Sequence, residues 1–130
     1  MLSRRSFTLL LIGLVVSQFL IVEANHNAPA NRRDGNTALH IAARNGHLEQ
    51  ARGLINTGAN VTITNNARNT PLHEAAYNGH RNVVELLINN GANLEVRNSD
   101  NLTPLNAAAL NGHSNVVDYL IERGANTELD

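Results

Sequence analysis

From Asp34 onward, apolar and polar residues follow one template written three times. "DGNTALHIAARNGHLEQARGLINTGANVTITNN" from Asp34, "ARNTPLHEAAYNGHRNVVELLINNGANLEVRNS" from Ala67 and "DNLTPLNAAALNGHSNVVDYLIERGANTELD" from Asp100 align without gaps at a period of 33 residues, and the last stops two residues short. Self-similarity at such a period points to stacked supersecondary units rather than to one irregular core.

Each copy predicts two helices. Thr37, Thr70 and Thr103 are good N-caps, and Pro71 and Pro104 follow at the first helical position, where a missing N–H costs nothing. The first helix runs through Ala42-Ala43, Ala75-Ala76 or Ala108-Ala109, whose small side chains let neighbouring helices approach closely. It stops at an Asn-Gly able to supply the left-handed C-terminal conformation. A second helix follows the histidine, carries Leu54-Ile55, Leu87-Ile88 or Leu120-Ile121, and ends at the glycine of Gly-Ala-Asn. About ten polar residues then lead to the next threonine. Helices this short are marginal alone, since an isolated helix needs roughly 12 to 15 residues to persist in water. Each unit must bury its apolar faces against the next, so the expected fold is an elongated all-α stack of two layers with polar turns along one edge.

"NTPLHEAAYNGHRNVVELLINNGANLEVRN" resembles an ankyrin repeat, and residues 34–130 resemble three in succession, at 34–66, 67–99 and 100–130. The resemblance implies an ankyrin-repeat solenoid of helix-turn-helix units with hairpin-like connecting turns. It also implies a protein-recognition module that binds with its turn tips and the inner surface of its first helices.

The histidines are read in that frame. His73 lies three residues after Thr70, where a capping-box Glu would sit, and its ring can exchange a hydrogen bond with the threonine. The resemblance implies the same for His40 and Thr37. His47, His80 and His113 follow the helix-ending glycine and are expected to bond the loop between the two helices. Because the histidines recur at repeat spacing, they are spread along the stack instead of converging on one ion, and no metal or other cofactor is expected. Glu74 takes the place of Ile41 and Ala107 and is read as a surface position in the first helical turn, where negative charge suits the helix dipole. No second carboxylate pairs predictably with it, and no Ser or Lys stands where an activated nucleophile would be recognised, so no catalysis is expected.

Positions held constant across the copies read as scaffold, and those that vary on the inner face and at the tips read as available for recognition. The residue pair before each helix-ending glycine is Arg44-Asn45, Tyr77-Asn78 and Leu110-Asn111. The turn tips add Arg33, Asp34 and Asn36 at the start of the first copy, Asn66 and Asn69 where the first copy meets the second, and Ser99, Asp100 and Leu102 where the second meets the third. Tyr77 is the foremost anchor, since a rigid amphipathic ring loses little entropy on binding. Leu102 and Leu110 follow, as exposed apolar groups that cluster mark contacts.

Several departures carry expectations. Gly53 stands where the other copies have Leu86 and Tyr119, and glycine inside a helix costs about 1 kcal/mol relative to Ala, so this second helix should be the softest. Arg68 and Asn101 replace the tip Gly35, and Arg tolerates a left-handed backbone poorly, which suggests a reshaped turn between the first two copies. Arg32, Arg33, Gln50 and Arg52 give the first copy a polar outer face. The last copy resembles an interior one, with Val116, Val117, Tyr119 and Leu120 and no polar helix behind them, leaving apolar surface for a partner or a second copy of the chain to cover.

The first residues are an address. Arg4-Arg5, an apolar run from Phe7 to Val22 and an abrupt polar turn form a three-part signal-peptide layout, with cleavage expected after Ala24 and residues 25–33 as a flexible leader. "SRRSF" also resembles the core of the twin-arginine export signal. The apolar run is shorter than the roughly 20 residues a bilayer span needs, which leaves a permanent membrane tether as the second reading. An ankyrin effector acting in a host cell is a third. The expected location is periplasmic or secreted in a bacterium and extracellular in a eukaryote, where "NVT" at Asn60 and "NLT" at Asn101 would be glycan acceptor patterns.

Composition narrows the function classes further. Aromatics make up 3%, with no Trp, so the core must be Ala, Leu, Ile and Val. Formal charge is -1, and removing residues 1–24 leaves eight arginines against ten acids, which argues against a nucleic-acid surface. Every one of the ten basic side chains is Arg, which we read as an accident of composition. There is no cysteine, hence no disulfide, thiolate chemistry or Cys-based zinc site. The expected partner is another protein, with no small-molecule substrate and with self-association through the last copy as a further option.

Overall fold

A computed structural model of the chain describes residues 27–30 and 33–128; the segment read as a signal peptide lies outside the described residues. Among the described residues there are six helices and no strand. They form three pairs: α1 (Ala38–Asn45) with α2 (Leu48–Asn56), α3 (Pro71–Tyr77) with α4 (Arg81–Asn89), and α5 (Pro104–Leu110) with α6 (Ser114–Glu122). The fold is the all-α ankyrin-type solenoid expected.

Each first helix starts on a closed capping box. Thr37, Thr70 and Thr103 are extended, and their hydroxyls accept from the backbone N–H of His40, His73 and Asn106. Those three side chains reach back and accept from the threonine N–H. The termini are set by backbone geometry: Gly46, Gly79 and Gly112 all have φ between 71° and 75°, a conformation costly for any residue with a Cβ.

The first helices pack on one another as an inner layer, α1 on α3 on α5, and each also packs on its own second helix; the second helices touch their neighbours less extensively. Leu39, Leu72 and Leu105 occupy equivalent buried sites in one continuous pile, flanked by the buried alanine pairs Ala42-Ala43 and Ala75-Ala76. Val83, Val84, Leu87, Val116 and Leu120 fill the space between the layers. Burial of a leucine or valine side chain contributes about 1.5 to 3 kcal/mol, so the pile accounts for much of the cohesion of helices too short to persist alone.

Two asparagines shape the connecting turns. Asn65 Oδ1 accepts from the N–H groups of Ala67 and Asn69, and Asn98 Oδ1 does the same for Asp100 and Leu102. Arg68 adopts φ 61° and Asn101 φ 64°, close to the 74° of Gly35. The turn at Arg68 is therefore not reshaped, contrary to the expectation; the ladder of neighbouring turns imposes the left-handed backbone and the arginine bears its strain. Helix α2 runs nine residues, through Gly53, where a Cβ would meet nothing within 4 Å. Within the leader, Ala30 N–H donates to Asn36 O, and Asn27 Oδ1 accepts from Asn60 N–H. No helix among the described residues is long and apolar enough to cross a membrane.

Candidate protein-binding face

The histidines do more than close caps. In the boxes, Nδ1 of His40 and His73 accepts an N–H at 3.1 Å, which places the ring proton on Nε2. From there His40 donates to Asn69 O and His73 to Leu102 O, each at 2.9 Å and each in the next repeat. Burial pushes both pKa values below the ordinary histidine value, keeping the rings neutral as this two-sided bonding requires. His80 and His113 correct the expectation that they bond their own loop. Nε2 of His80 lies 2.9 Å from Arg44 O and that of His113 3.0 Å from Tyr77 O, both in the preceding repeat. A Cβ at Gly46 or Gly79 would come within 2.5 Å of these rings, so the helix-ending glycine is needed for close approach as well as for its backbone angle. Among the described residues no group of three His, Cys, Asp or Glu could hold a metal ion.

Glu74 is a second correction. It is buried, at 7% exposure, because the Arg44 guanidinium reaches across from the first repeat: Nε lies 3.2 Å from Oε2 and Nη2 3.3 Å from Oε1, and Asn65 Nδ2 adds a third bond. The hydrogen bonds from Arg44 to Glu74 push the arginine pKa up. The pair belongs to a register. The residue before Asn-Gly in one repeat faces the fourth helical residue of the next, giving Arg44 opposite Glu74 and Tyr77 opposite Ala107. Small Ala107 leaves room beside the Tyr77 ring.

That room is part of a groove. A cavity of about 450 Å³ is walled by Arg44, Asn69, Tyr77, Asn78, Asp100 and Leu102, together with His73, Glu74, Asn98 and Ala107. A neighbouring cavity of about 480 Å³ shares Asp100 and Leu102 and adds Leu110, Arg97, Asn101, Asn106 and Ala109. Tyr77 and Leu110 are 50% and 68% exposed. The structure thus brings together seven of the residues singled out in the sequence: Arg44, Asn69, Tyr77, Asn78, Asp100, Leu102 and Leu110. Arg33, Asp34, Asn45, Asn66, Ser99 and Asn111 are exposed but line neither cavity. Asn36 must be corrected: at 2% exposure it is buried, its Oδ1 accepting from Asn65 Nδ2, and it works as scaffold. Asn69 accepts in the same way from Asn98, and Asn111 donates to Tyr77 O. Eight lining residues were not singled out for binding in the sequence: His73, Glu74, Asn98 and Ala107 in the first cavity, and Arg97, Asn101, Asn106 and Ala109 in the second. Of these Ala107 carried a signal, being small where the other copies have Ile41 and Glu74.

The end of the stack also differs from expectation. Val116 and Leu120 are fully buried, and Tyr119 is covered by the guanidinium groups of Arg81 and Arg123, 5.1 and 5.8 Å from its ring centre. The apolar surface instead consists of Ala109, Leu110 and Ile121, the last 45% exposed.

The described residues therefore form a repeat-built scaffold with a partly enclosed groove along its inner face. The family model for ankyrin repeats (three copies) matches residues 12–98 and again residues 58–130, and the chain belongs to the ankyrin-repeat family, whose members generally serve as protein–protein interaction modules. The first match begins inside the apolar run read as an export signal. No curated protein matches the chain.

Proposed function

We propose that the chain is an exported, non-enzymatic binding module that takes a partner protein along the inner face of α3 and α5 and the tips before them. The observation that carries this reading is the pair of adjoining cavities divided by Leu102 and Asp100, with Tyr77 and Leu110 exposed beside them. Aromatic and aliphatic anchors in a partly enclosed groove dominate interface energies, while the Arg44–Glu74 pair satisfies its own charges and leaves shape to govern the fit. Export rests on Arg4-Arg5 and the apolar run behind them; the intact mass of the mature chain distinguishes cleavage after Ala24 from a retained tether. A crosslinked pull-down from the exported fraction, compared with a Tyr77→Glu, Leu110→Glu double variant, tests the groove. Loss of a specific partner by the variant is expected, and undiminished recovery refutes the assignment.

A further inference from the structure

Three of the contacts that join one repeat to the next have an unfilled counterpart at the far end of the stack. At the inner junctions, the third residue of a first helix donates to a tip carbonyl of the next repeat, as His73 does to Leu102 O. In the last repeat Asn106 closes its own cap through Oδ1, which leaves Nδ2 out of the cap, and the residue lines the cavity bounded by Ala109 and Leu110. At the inner junctions, the ring of His80 or His113 lies on Gly46 or Gly79 and donates to the carbonyl just before the Asn-Gly. Nothing lies within 4 Å of the Cβ position of Gly112, and the matching carbonyl is that of Leu110. Ala109 is exposed, whereas its counterparts Ala43 and Ala76 are 0% exposed.

The complementary groups stand on the leading face of this chain's own first repeat. His47 is the counterpart of His80 and His113 and is exposed, with no repeat before it among the described residues. Asn36 O accepts one bond, from Ala30 N–H, whereas its counterpart Asn69 O accepts two, from Asn65 N–H and His40 Nε2. Ile41, half-buried, holds the position of Glu74 and Ala107, so the register that sets Arg44 against Glu74 would set Leu110 against Ile41, apolar on apolar.

We propose that the last repeat docks the first repeat of a second copy of this chain, continuing the stack head to tail: His47 of the incoming copy on Gly112 and Leu110 O, Asn106 on the incoming Asn36 O, and Leu110 on the incoming Ile41. The outer half of the contact is weaker than an internal junction, because exposed Gln50 replaces the buried Val83 and Val116 of the inner repeats. A head-to-tail contact uses two different surfaces and does not close on itself, so it builds open chains rather than a symmetric dimer.

The test uses the full chain and two blocked variants. Ala109→Glu obstructs the trailing face, and Ile41→Glu obstructs the leading face at a position that already carries Glu in the second repeat; both should keep the fold, checked by circular dichroism. In sedimentation velocity from about 1 μM to about 1 mM, a range that spans weak self-association, the unaltered chain should grow in mass with concentration. Each blocked variant alone should stay monomeric. Their equimolar mixture should form a dimer and nothing larger, because one open face of each kind remains. A monomeric unaltered chain, association of either variant by itself, or a monomeric mixture overturns the proposal. The cysteine-free background supplies an independent readout: oxidising Leu110→Cys with Ile41→Cys should trap a mixed dimer, and trapping of Leu110→Cys with itself would identify a symmetric contact instead.

Discussion

His73 separates the two tasks of a single side chain, and Asn106 provides the means of measuring each. His73 is 1% exposed; Nδ1 serves the cap of its own helix and Nε2 bonds Leu102 O in the next repeat. Asn106 shows that asparagine can close the same box at the same position, with 3.2 Å from Thr103 N–H to Oδ1, although it is too short to serve as His73 does at Nε2. In His73→Asn the cap should survive and the junction bond should be lost, leaving the Leu102 carbonyl partly unsatisfied. The cost is about 1 to 2 kcal/mol. His73→Ala also loses the reciprocal half of the capping box, leaving the Thr70 N–H without its acceptor at about 1 kcal/mol, and leaves a void the size of the ring, for about 3 to 4 kcal/mol in total. Against a domain stability of about 5 to 15 kcal/mol, the second variant is close to unfolding and the first is not. In the monomer, at protein concentrations too low for self-association, Asn106→His has no repeat to bond among the described residues and should lie within about 0.5 kcal/mol of the parent. Urea titrations followed at 222 nm give all three values. Equal losses for His73→Asn and His73→Ala, or stabilisation by Asn106→His, would refute the division of labour.

Two further predictions follow from the same geometry. His40 and His73 have folded pKa values below the unfolded value near 6.5, so their contribution is complete above that pH and is lost as the pH falls below it toward the folded values. The midpoint urea concentration should decline on acidification from pH 7 to 5, each ring contributing a slope of at most about 1.4 kcal/mol per pH unit, and His73→Asn should reduce that slope. Arg68→Gly relieves a left-handed backbone that costs a side-chain-bearing residue about 1 to 2 kcal/mol, offset in part by the added freedom of glycine in the unfolded chain. The net gain of about 0.5 to 1 kcal/mol should raise the calorimetric melting temperature by a few degrees; a lowered value would show that the arginine stabilises the turn in another way.

The stack was legible in the sequence because its causes are local and recur: a threonine that caps, alanines that admit a neighbour, glycines at every left-handed stop. The position of each first helix, and seven of the residues that line the groove, can be read by comparing the copies. What the comparison could not reveal is what crosses between copies. Glu74 reads as a surface residue in its own helix and is buried only because Arg44 reaches it from 30 residues earlier in the chain. His80 and His113 read as loop residues, and their acceptors lie 36 residues back. Asn36 has the composition of a tip and the bonding of a strut. Repetition reveals which positions are constrained, whereas the partner of each is set by the displacement of one repeat against the next.

The central claim is that neutral imidazoles fasten each repeat to its neighbour. Nitrogen-resolved spectra of the histidine rings at neutral pH test it without any substitution. The Nε2–H tautomer is expected for His40 and His73, with slowly exchanging Nε2 protons. An Nδ1–H tautomer at His40 or His73 would contradict the account, since that proton would face the threonine N–H that the ring is held to accept.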